Sequence, residues 1–117
     1  MSKIYPYKNL IYNCADEESI NFSVEFISDG NAGTTTIKTP DNKNHQIKDQ
    51  GTIYIGTGTD LRTGIIVSSS SIINPVPEED EIRIQYKING KLLVEHVNQK
   101  SEEKEPIILL YIKFPVL

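Results

Sequence analysis

The chain has 117 residues, 12 of them basic and 16 acidic, for a net charge of -4, and 38% are hydrophobic. That length suits one domain, 1–117, and is short for two separate cores. The basic residues are dispersed, with arginine only at Arg62 and Arg83. The clustered basic stripe that offsets phosphate charge is therefore missing, which argues against nucleic acid as a partner.

Cys14 is the only cysteine, so neither an intrachain disulfide nor a thiolate metal cluster can form. The start, Met1 to Pro6, carries no apolar run of signal-peptide type. The longest apolar stretch, Ile107 to Ile112, falls far below the ~20 residues of a membrane helix. The expectation is a soluble cytoplasmic protein with no membrane contact. Export without a leader, or after removal of one, is the other route the sequence leaves open.

In chain order, the first predicted strand is 4–12, where Tyr5 and Tyr7 share a face. The only helical expectation is a single turn near Asp16-Glu17-Glu18. Over 20–28, Ile20, Phe22, Val24 and Phe26 alternate with polar residues, the signature of a strand with one wet face. Turn residues Asp29 to Gly33 lead into 34–39, Pro40-Asp41-Asn42 breaks the chain, and short strands follow at 44–48 and 51–56. The run Gly56 to Gly64 precedes a β-branched segment, 64–73, in which four serines read as strand or bulge rather than tether. After Asn74-Pro75-Val76-Pro77, alternation returns at 81–88, and further strands are expected at 91–98 and 107–114.

This pattern predicts an all-β fold, an antiparallel two-sheet sandwich of eight to nine strands, immunoglobulin-like (Greek-key) or jelly-roll-like. The likeness to immunoglobulin-like sandwiches lies in strand count and alternation alone, since paired cysteines and a central tryptophan are lacking. Function does not follow from such an architecture.

Asn89-Gly90 is the clearest hairpin signal. An unbroken two-residue loop would set Ile88 against Lys91 and Ile84 against Glu95. A three-residue loop, with Gly90 as a left-handed bulge, pairs Tyr86 with Leu92, Ile84 with Val94 and Arg83 with Glu95. Cross-strand matching favours the three-residue form and predicts that Lys87 faces Lys91.

The last strand is apolar on both faces, so it is expected either in the middle of a doubly covered sheet or against a partner. The apolar tail is expected to pack on the domain or on a neighbour. Tyr111, Phe114, Val116 and Leu117 are accordingly the candidate partner interface.

Gly56, Thr57, Gly58, Thr59, Asp60 and Arg62 form the candidate binding loop. Leu61 stands where a dinucleotide fingerprint needs its third glycine, and no Gly-Lys-Ser/Thr phosphate loop occurs. Asp29, Asn31, Asp41, Asn42 and Asn44 offer oxygens for calcium without the alternating pattern of a dedicated calcium loop. His45 and His96 have no spacing that links them to Cys14 or to each other. No catalytic, cofactor or metal constellation is recognised, so no cofactor is expected.

The expected function is a non-enzymatic protein-interaction or structural module, with an oligomerising or assembly subunit as one version of it, and a protein partner or self-association. The alternative is a small-ligand module that binds calcium or carbohydrate through loops 29–33, 40–45 and 56–64 at one end of the sandwich. A hydrolase ranks last.

Overall fold

The structure, a computed structural model, describes residues 2–117. Nine strands form two sheets, with β1 Ile4–Ile11, β2 Ser19–Phe26, β3 Ala32–Lys38, β4 Asn44–Lys48, β5 Gly51–Thr57, β6 Ile66–Ile73, β7 Glu81–Ile88, β8 Lys91–Gln99 and β9 Ile107–Lys113. A single helical turn, α1 Gly58–Leu61, lies between β5 and β6. The five-stranded sheet runs β1-β9-β6-β3-β4 and the four-stranded sheet β5-β2-β7-β8. Every connection crosses between the sheets except the hairpins β3–β4 and β7–β8.

The alternation read from the sequence becomes two facing apolar layers. Ile20, Phe22 and Val24 of β2 and Ile82, Ile84, Tyr86 and Ile88 of β7 are buried against Ile37, Ile66, Ile72, Ile108, Leu110 and Ile112 of the other sheet. At roughly 25 cal/mol per Å² of apolar area, this layer is the main driving force for folding.

One pairing departs from the expected antiparallel sandwich. β1 runs parallel to β9, with Ile4 opposite Ile107 and Tyr7 opposite Leu110. The five-stranded sheet is therefore mixed. The seven residues between β1 and β2 carry the chain across to the other sheet, so no tight hairpin turn forces β1 into an antiparallel place. β1 is also an edge strand, and it carries two devices that discourage further pairing. Pro6 lacks a backbone donor, and the register shifts between Tyr7 and Leu10, with Asn9 at φ 63°.

The β7–β8 hairpin also differs from expectation. Its loop is the two-residue Asn89-Gly90, both residues left-handed at φ 50° and 80°, the conformation Asn-Gly favours. Lys87 faces Leu92, not Lys91. The mismatch is relieved inside β8, where Leu93 is bulged out. Val94, His96 and Asn98 then come opposite Tyr86, Ile84 and Ile82 on the inner face. Arg83 still reaches Glu95, as a diagonal ion pair at 2.7 Å.

The helical turn also sits elsewhere than expected. Residues 15–18 form only a hydrogen-bonded turn, Glu18 N–H to Ala15 C=O at 3.2 Å. The helical turn lies in the glycine-rich run instead. There Thr57 accepts from Asp60 N–H, and Asp60 in return accepts from Thr57 N–H at 3.0 Å, a capping box.

Candidate interaction surface

The two outer faces differ in kind. On the four-stranded sheet, outward charges are neutralised in place. Lys87 pairs with Glu25 at 2.6 Å, and Arg83 pairs with Glu81 at 2.6 Å and with Glu95 at 2.7 Å. Gln85 donates to Glu95 at 2.8 Å.

The outer face of the five-stranded sheet is apolar at its β1–β9 side. Its rows can be read from the register. Ile4, Ile107, Ser71, Thr34 and Lys48 form one, and Pro6, Leu109, Ser69, Thr36 and Gln46 the next. Tyr111, Val67 and Lys38 form a third, and Ile11 lies beside Lys113 below it. Ile4, Ile11 and Ile65 are exposed, and Ile107, Leu109 and Tyr111 are half-buried. β9 is thus an interior strand, next to the edge of its sheet, and its second apolar face is not covered by the described residues. Two shallow depressions meet at the lower part of this face. One, of about 230 Å³, is lined by Lys8, Asn9, Ile65, Tyr111 and Lys113. The other, of about 340 Å³, continues past Ile65 and Lys113 to Ile11 and Pro115.

Of the residues expected at a partner interface, Tyr111, Val116 and Leu117 remain at the surface. Val116 makes a bridge to Cys14, and Leu117 is 81% exposed. Phe114 does not serve there, because it is 2% exposed and packs in the core beside Tyr12. The sequence reading missed Ile4, Ile11 and Ile65. The signal for Ile4 was its parity, opposite to that of the inward Tyr5 and Tyr7, whereas Ile11 is turned to the same face only by the register shift between Tyr7 and Leu10.

The glycine-rich run is built as a corner. Gly58 packs so closely that a Cβ would lie 2.1 Å from the Ala15 carbonyl oxygen. Arg62 is spent on structure. Its guanidinium donates to the Cys14 carbonyl at 2.7 Å and the Phe114 carbonyl at 3.3 Å, and pairs with Asp16. Gly56 and Gly58 are buried, while Thr59 and Asp60 face solvent.

The loops expected at one end lie at both. Residues 29–33 lead into β3 and 40–45 follow it, so they sit at opposite ends of that strand. Gly64 approaches Pro40, which places the 56–64 run with 40–45. Around 29–33, the Asn31 side-chain oxygen and the Asp29 backbone carbonyl already have a partner. Asn74 Nδ2 donates to the Asp29 carbonyl at 2.7 Å and to Asn31 Oδ1 at 2.8 Å. The Lys100 ammonium sits beside the same Asn74, 2.7 Å from the Val76 carbonyl and 3.5 Å from Asn74 Oδ1.

Tyr5 and Tyr7 share a face, and it is the inner one. Both pack edge-on against His96, at 4.7 and 5.8 Å between ring centres, an arrangement that withdraws them from stacking on a sugar. His96 is fully buried. Asn98 uses its amide N–H groups on the Gln99 and Glu103 carbonyls, so its Oδ1 accepts from His96 Nε2–H at 2.7 Å. Nδ1 is left to accept from the Tyr7 hydroxyl at 2.7 Å. Burial pushes the imidazole pKa down, with the Asn98 bond and the Glu102 charge opposing. His45 lies on β4, and Cys14 is buried at the Arg62 corner. Among the described residues no three His, Cys, Asp or Glu side chains come together as a metal site, and no helix is long and apolar enough to cross a membrane. Compared with models of known protein families and with curated proteins, the chain matches none.

Proposed function

We propose that this chain is a non-enzymatic interaction module that docks a protein through the outer face of its five-stranded sheet. The observation that carries the reading is the contrast between the two outer faces. One has its outward charges paired in place, with Tyr54, Leu92 and Val97 exposed on it only as scattered apolar side chains. The other leaves Ile4, Ile11, Ile65, Ile107, Leu109 and Tyr111 wholly or partly open. An apolar patch framed by polar rows is the usual make-up of a protein interface.

A photo-crosslinking residue at Leu109 tests the reading in cells, against the same residue at Gln85 on the opposite face. The expected result is a single adduct of defined mass from position 109 and none from 85. An adduct of twice the chain mass would identify a second copy as the partner. Equal capture from both faces, or none from either, would sink the proposal.

A further inference from the structure

The charge of the same face points to its partner's chemistry. None of the chain's 16 acidic residues lies on a strand of the five-stranded sheet, whereas those strands carry four lysines, Lys8, Lys38, Lys48 and Lys113. All four are exposed. Among the described residues none of them pairs with a carboxylate, although lysines elsewhere do so at Glu102, Asp41 and Glu25. The lysines border the apolar stripe. Lys38 ends the row of Tyr111 and Val67, Lys48 ends that of Ile4 and Ile107, and Lys8 and Lys113 line one depression with Tyr111. In a protein of net charge -4, this apolar face is thus locally cationic.

We infer that the partner presents an acidic, apolar protein segment to this face, its carboxylates meeting Lys8, Lys38 and Lys113 and its apolar side chains covering Leu109 and Tyr111. The inference rests on the docking reading above and adds the partner's chemistry. Opposite charge across an interface selects partners and speeds encounter. A symmetric pair of copies would instead bring the same four lysines against themselves, which is unfavourable. An anionic membrane shares the attraction to lysine. However, membrane binding buries apolar side chains in the acyl boundary, and here Ile107, Leu109 and Tyr111 lie half-buried in a sheet beside Thr34, Thr36, Ser69 and Ser71. That mixture of apolar centre and hydrogen-bonding surround fits a protein.

The test is an amide-shift titration of the isotope-labelled chain. Its probes are two synthetic strand peptides, one alternating valine with glutamate and one alternating valine with lysine, and vesicles of phosphatidylserine and phosphatidylcholine. The glutamate peptide is expected to shift amides of β6, β9 and β1. It should bind at least about tenfold more tightly than the lysine peptide, and added salt should weaken it. Lys8→Glu with Lys113→Glu, at unchanged melting temperature, should reverse the preference. Equal binding of both peptides at this face would overturn the acidic partner and leave the docking reading standing. No shift with either peptide or with vesicles would overturn both. Shifts with vesicles alone, or salt-insensitive dimerisation through the face, would replace the protein partner with a membrane or a second copy.

Discussion

The Tyr86 hydroxyl, on β7, donates to Ser70 Oγ, on β6, at 2.9 Å, a polar bond in the middle of the apolar layer that ties one sheet to the other. Thr35 of β3 completes the chain at 2.7 Å from the same oxygen. Two residues back along β6, Ser68 Oγ is buried with no partner. A buried hydroxyl is favourable when bonded and costly when alone.

Tyr86→Phe should therefore lower stability by about 1 kcal/mol, or about 4–6 °C in melting temperature for a domain of this size. Ser68→Ala should be neutral or stabilising. Paired thermal melts check both, and a larger loss for Ser68→Ala than for Tyr86→Phe would contradict this account of the core.

His96 makes stability depend on pH. Its folded pKa is depressed by burial, so below about pH 6.5 the unfolded chain takes up a proton that the folded chain refuses. Stability should fall as pH drops through the range below 6.5. The depressed carboxylates Glu18, Asp41, Glu95, Glu102 and Glu103 act only further down, below about 4.5. Denaturant melts at about pH 7.5 and 5.5 should differ in the native chain and differ less in His96→Asn. An unchanged difference in the variant would remove His96 as the source.

Gly58→Ala should cost about 3 kcal/mol or prevent folding, because its Cβ meets the Ala15 carbonyl. Gly90→Ala is a control of a different kind. Nothing lies within 4 Å of its Cβ, but its φ is 80°, so the cost should stay near 1 kcal/mol. Expression level and melting temperature separate the two.

Arg62→Lys should loosen the corner, since an ammonium cannot reproduce the planar fork that reaches the Cys14 and Phe114 carbonyls together. A loss of about 1–3 kcal/mol is expected. Cys14, fully buried in the native chain, should react faster with a thiol reagent. Unchanged labelling would show that the corner holds without the guanidinium.

The strands were legible because period-two hydrophobicity is local. Ile82, Ile84, Tyr86 and Ile88 declare their common face without reference to anything distant. Bulges are less visible. The apolar parity of Leu92 and Val94 argued for a longer turn, and a single bulged residue, Leu93, reconciled it with the Asn-Gly preference. The parallel neighbour of β1 was invisible, because nothing near Ile4 reports that Ile107 will lie beside it. Phe114 looked like tail, yet the chain turns inward there and leaves Val116 and Leu117 open beyond it. The lysine-bordered face was the least legible of all, since its charges come from four separate strands and gather only when those strands are placed in order.

That β1's only sheet neighbour is β9 sets the order of assembly on the ribosome. The first strand to emerge must wait, unpaired, until nearly the whole domain has been synthesised. A chain stopped before Ile107 would lose two strands of the five-stranded sheet together, leaving the backbone of β6 as an unpaired edge. Intermediates of that kind are where aggregation would begin.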